Sequence, residues 1–190
     1  MADLKRIANP APLGLAAFGM TTILLNLHNA GFFGLGAMIL AMGFFYGGLA
    51  QVIAGILEFK NGNTFGLLAF TSYGFFWLSL VFIIIAPAMG WAEAPSATAM
   101  GFYLLMWGIF SLFVFFGTLR SSKVLQFVVA SLIVLFFLLA LAEFTGIALI
   151  KTIAGFEGII CGASALYLAM AKVLNETFER TVLPIGAFKK

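Results

Sequence analysis

The chain has 190 residues, 63% of them hydrophobic and only 9% charged, with a formal net charge of +3. A soluble domain carries about 25% charged residues, so the excess apolar surface has to face lipid. Almost no chain is left for a soluble catalytic domain, which argues against an enzyme, and the dispersed basic residues do not form a nucleic-acid groove.

Six apolar stretches predict six spanning helices, at residues 13–27, 37–57, 65–87, 98–119, 124–142 and 153–173. About 20 apolar residues cross the hydrocarbon core of a bilayer. The runs are continuous rather than alternating, so they predict helices and not a barrel. The expected fold is an all-α integral membrane protein made of one six-helix domain.

The first stretch is introduced by Asn9-Pro10-Ala11-Pro12-Leu13-Gly14-Leu15. Pro12 suits a first helical turn, where its missing N–H costs little. Asn9 can cap that turn or line a vestibule. Phe18, Thr22 and Asn26 follow at four-residue spacing and share one face. His28 and Asn29 stand at the far mouth.

In the second stretch Gly43 and Gly47 form a GxxxG pair, followed by Gln51. The third carries Thr71, Ser72 and Tyr73, with Ser79 seven residues past Ser72. The fourth holds Ser111 and the run Phe113, Phe115 and Phe116, which reads as a lipid-facing or protein-facing surface. Trp91 and Tyr103 fit an interfacial belt. The fifth contains Gln126 and Ser131 and ends near Glu143.

In the sixth stretch Glu157, Cys161 and Ser164 form a stripe beside Gly158 and Gly162, which Ala165 and Ala169 extend. Both glycine pairs predict helix seams, within a protomer or between protomers. Cys161 is the only cysteine and reads as a packing residue. With no partner cysteine and no metal-ligand spacing, no disulfide, metal or cofactor is expected.

The connections, at 28–36, 58–64, 88–97, 120–123 and 143–152, are short and predict antiparallel neighbours. Lys5, Arg6, Lys60, Arg120, Lys123, Lys172, Arg180, Lys189 and Lys190 fall on one side and only Lys151 on the other. By the positive-inside rule both termini are cytoplasmic. The polar stretch before the first span lacks a clear cleavage site, so that span is expected to remain as the first helix.

No Lys or Arg lies deep within a span. The intramembrane polar groups are mostly hydroxyls and amides, which suit carboxylates, carboxylic acids, amides or water better than cations. Glu157 and His28 are the candidates for linking protons to solute movement.

Asn9-Pro-Ala-Pro-Leu-Gly-Leu15, Phe18-Gly-Met-Thr-Thr22, Phe45-Tyr-Gly-Gly48, Thr71-Ser-Tyr-Gly74 and Arg180-Thr-Val-Leu-Pro-Ile-Gly186 resemble the acetate uptake transporter family. The resemblance runs through nearly the whole chain. It implies a six-helix protomer in a ring-shaped homo-hexamer of the inner membrane that moves acetate and succinate, by proton symport or channel-like passage. It also implies an apolar constriction at Phe18, Tyr73 and Leu132, with Ala165 lining the path.

The residues read beside this resemblance as path donors are Asn9, Thr22, Asn26, Thr71, Ser72, Ser131 and Ser164. Two alternatives stay open: a passive channel for urea, amides or undissociated acids, and a non-transporting membrane scaffold.

Overall fold

The computed structural model describes residues 8–186. Lys5, Arg6, Lys189 and Lys190, which enter the charge asymmetry above, lie outside them. Six helices are long and apolar enough to cross a membrane. They are α1 (Ala11–Asn29), α2 (Ala37–Lys60), α3 (Thr64–Ala88), α4 (Ala97–Thr118), α5 (Lys123–Thr145) and α6 (Ala148–Thr177). The protein is a multi-pass, all-helical membrane protein.

The helices extend beyond the apolar stretches because polar residues at their ends continue the turns. Glu58 and Glu143, read from sequence as loop residues, lie inside α2 and α5. Side chains cap several helix starts. Asn63 Oδ1 accepts from Gly66 N–H at 3.1 Å, Ser96 Oγ from Ala99 N–H at 3.2 Å, and Ser122 Oγ from Leu125 N–H at 3.3 Å. These satisfy donors that water would otherwise have to reach.

Residues Met42–Ala50 of α2 form a π-helix, which the sequence reading did not anticipate. Gly43 and Gly47 let it approach its neighbours. A Cβ at Gly43 would meet Val81 at 2.8 Å, and one at Gly47 would meet Thr21 and Trp77 at 2.9 Å. Thr21 Oγ1 donates to the Met42 carbonyl oxygen at 3.4 Å, giving that end of the segment a partner from α1.

The second glycine pair joins α1 to α6. A Cβ at Gly162 would come within 2.7 Å of the Gly19 carbonyl oxygen and 2.9 Å of Ile23 N, while Gly158 receives the Asn26 side chain. Both glycine faces are therefore seams inside the protomer. Backbone-to-backbone approach of this kind supplies the van der Waals contact that holds helices together in lipid.

The backbones of α3 and α4 make little direct contact. Large side chains fill the gap between them. Phe76 stacks with Tyr103 at 5.9 Å and meets Phe136 edge-on at 5.1 Å, and Tyr73 meets Phe110 at 5.6 Å.

After α6 the chain folds back across the start of α5. Lys123 N–H donates to the Gly186 carbonyl at 3.0 Å and Val124 N–H to that of Ile185 at 3.2 Å. Asn175 clamps this return segment with three bonds: Nδ2 to the Leu183 carbonyl, and Oδ1 from the N–H groups of Val182 and Leu183. Asn175→Ala removes them at about 1 kcal/mol each. Limited trypsin digestion should then cut at the exposed Arg180 severalfold faster than in wild type.

Candidate functional site

A cavity of about 390 Å³ enters the bundle from the face that carries Arg120 and Lys172. Its mouth is formed by Asn63 of the α2–α3 turn, Arg120, Ser121 and Ser122 of the α4–α5 turn, Lys172 of α6, and Ile185 of the return segment. Further in, Leu15 and Phe18 of α1, Gln51 and Glu58 of α2, Tyr73 of α3, and Leu125 and Leu132 of α5 line it.

Phe18, Tyr73 and Leu132 are all buried in one apolar cluster with Ala165. The Phe18 and Tyr73 rings lie 6.2 Å apart. Tyr73 is fixed in place: its hydroxyl donates to Ser111 Oγ at 2.9 Å, and Ser111 donates to the Trp107 carbonyl at 2.8 Å. A solute moving inward from the mouth therefore meets two aromatic rings and a leucine.

Thr22 and Asn26 lie one and two turns beyond Phe18 on α1, away from the mouth. Both are buried, and Thr22 Oγ1 has no hydrogen-bond partner among the described residues. Asn26 Nδ2 donates to the Thr22 carbonyl at 2.9 Å, while its Oδ1 accepts from Asn29 Nδ2 at 3.0 Å. Asn26 packs on Gly158, so the neighbouring Glu157 lies at the same depth, past the constriction. Ser131 donates to Glu157 Oε1, and Glu157 Oε2 has no partner among the described residues.

The remaining expected path residues sit apart from the cavity. Asn9 is exposed, and its Oδ1 accepts from Ala11 N–H at 3.0 Å, a turn at the start of α1. Thr71 packs on Gly55 and its Oγ1 has no partner among the described residues. Ser72 is half-buried. Ser164 donates to the Cys161 carbonyl at 2.7 Å on its own helix. Ala165 is buried next to this turn. The His28 ring nitrogen Nδ1 lies 2.9 Å from the Phe33 carbonyl oxygen, tying the ring to the α1–α2 connection.

Sequence reasoning missed the polar part of the mouth. Gln51 and Glu58 are 1% and 2% exposed, and each has an Oε1 without a partner among the described residues. Their seven-residue separation on one helix was the available signal, since that spacing returns to the same face.

The family described as GPR1/FUN34/yaaH matches residues 2–189. The chain belongs to this family. It is 64% identical over 181 residues to the succinate-acetate/proton symporter SatP of Escherichia coli K12, covering 95% of this chain and 96% of that protein. A solved structure described as the bacterial acetate channel SatP superposes with a TM-score of 0.94 at 64% identity, over 95% of this chain and all of that one. A more distant relative, ammonia transport outward protein 2 of Saccharomyces cerevisiae, is 38% identical over 90% of this chain and 64% of its own length. These similarities join the chain to transporters and channels, and not to enzymes.

Proposed function

We infer that the protein carries small carboxylates, acetate and succinate, across the membrane through a passage within each protomer. The observation that carries this reading is the cavity that runs from the basic side chains Arg120 and Lys172 to the apolar group Phe18, Tyr73 and Leu132. Cations at the mouth concentrate an anion without holding it in the membrane interior. The constriction then sets a width limit and strips water from the solute, a step that costs much more for a charged group than for a neutral one.

Beyond the constriction Thr22, Asn26, Thr71, Ser72, Ser131 and Ser164 replace part of the lost hydration, with Ala165 keeping the path open. Asn9 shapes the start of the α1 wall. Glu157 and His28 are the titratable groups on the far side. The basic face is cytoplasmic, so both termini lie inside an inner-membrane protein. The exposed Phe45, Phe113 and Phe116 meet lipid or neighbouring copies in a hexameric ring, the assembly that the family resemblance implies.

The relative named for ammonia transport supports a second reading, passage of small neutral solutes. The paired cations at the mouth favour the carboxylate. Proteoliposome uptake of labelled acetate and succinate, against protein-free vesicles and against methylamine and urea, tests the choice. Saturable carboxylate uptake is the expected result. Uptake of the neutral solutes alone would overturn it.

A further inference from the structure

Glu58 is the one carboxylate side chain that lines the vestibule, and its two oxygens are not equivalent. Asn63 has a single carbonyl oxygen, already accepting the Gly66 N–H at 3.1 Å. Its amide nitrogen can only donate, and it does so to Glu58 Oε2 at 3.0 Å. Turning the Asn63 amide over would set N–H against N–H and carbonyl against carboxylate, so the polarity of the chain is fixed. Oε2 is committed as an acceptor.

A proton on Glu58 therefore sits on Oε1, the oxygen without a partner among the described residues. Gly66 makes room for this arrangement, because a Cβ there would come 2.6 Å from Asn63 Nδ2 and 2.9 Å from Glu58 Cδ. A buried polar atom left unpaired costs free energy comparable to the desolvation of that group, and a ligand that pairs with it recovers that cost.

We propose that Glu58 is the proton-exchange site of the transport cycle, at which a carboxylate in the vestibule and Oε1 share one proton. This rests on the carboxylate reading above. In one direction Oε1–H gives its proton to an oxygen of the anion, leaving the Glu58 carboxylate and a solute with one negative charge fewer. In the other, a solute arriving through the constriction leaves its proton on Oε1. No other bond changes. The less charged solute is the form that crosses Phe18, Tyr73 and Leu132 at the lower desolvation cost.

The charged and titratable groups around the site are Arg120 from the α4–α5 turn, Lys172 from α6, Tyr73 from α3 and, on its own helix, Lys60. Arg120 and Lys172 stabilise the anion that remains after each transfer. Tyr73 has already given its hydroxyl proton to Ser111. Gln51, two turns deeper on the same face, offers the solute a second contact.

Labelled succinate uptake into proteoliposomes, with and without an acid-outside gradient, tests the assignment. Succinate is the probe because acetic acid crosses lipid unaided. One proton per solute allows up to about tenfold stimulation per pH unit. Wild type should show gradient stimulation, and Glu58→Gln should bring the ratio to about one, whatever its absolute rate.

A Glu58→Gln variant that keeps the wild-type ratio, or a wild type that ignores the gradient, overturns the assignment while leaving transport intact. A wild type that moves no succinate or acetate overturns the transport reading and this inference with it. Should Glu58→Gln fail to fold, wild-type protein treated with dicyclohexylcarbodiimide, which attacks protonated carboxyl groups, decides the question. An adduct on Glu58 that succinate slows supports the assignment. No adduct on Glu58, with or without one on Glu157, overturns it.

Discussion

Leu132→Ala should shift selectivity toward longer or branched acids by on the order of tenfold relative to acetate. Discrimination by one methylene in an apolar pocket is worth about 1–3 kcal/mol, and this substitution removes more than that from the wall opposite Phe18 and Tyr73. Leu132 is 3% exposed and lines the inner end of the cavity. Widening there lowers the barrier most for the solutes that fitted worst. Competition assays with a graded series of monocarboxylates against labelled acetate measure the shift. Ala165 lies in the same apolar cluster, so a larger residue at that position should act in the opposite sense. Unchanged rankings in both variants would remove these residues from the size filter.

Gly162→Ala should be among the most destabilising single substitutions in the protein. Its Cβ would meet backbone atoms of α1, the Gly19 carbonyl oxygen and Ile23 N, and backbone cannot rotate away as a side chain can. Gly19→Ala strikes the same seam from the other side, with Gly162 O and Leu166 N at 2.7 and 2.8 Å. Overpacking typically costs about 1–3 kcal/mol, and here the strain falls on the interface between the first and last helices. Thermal unfolding in detergent should show clear loss in both variants. Gly34→Ala, at a position with nothing within 4 Å of the added carbon, should melt like wild type.

The six helices were legible because a bilayer allows so few ways of satisfying a backbone, and each apolar run was long enough to declare itself. Gly158 and Gly162 were legible as a seam, but their partner was not. GxxxG specifies a close approach without naming the surface that arrives. Pro12 in the first turn of α1 followed from ring chemistry, and Asn9 turned out to hold that turn from outside.

Phe18, Thr22 and Asn26 share a face as their spacing requires. Spacing alone did not reveal that the Asn26 amide is bonded to the Thr22 carbonyl. The constriction came from the family resemblance, since one buried Phe, Tyr and Leu among so many carry no compositional mark. Glu58 was hidden by its position near the end of an apolar run, where a carboxylate ordinarily signals solvent. Only the fold shows that α2 continues past it and turns it inward beside Asn63.

The π-helical stretch Met42–Ala50 also bears on insertions and deletions. Each residue advances an α-helix by about 100°, and π turns absorb extra residues within a helix of nearly constant course. Losing one residue between Met42 and Ala50 would spare the length and greasiness of the span. It would nevertheless swing everything downstream, including the side chains at 51 and 58, about a quarter turn away from the vestibule. Length changes, usually absorbed by surface loops, would here be felt in the middle of the membrane, with the reading frame intact and transport lost.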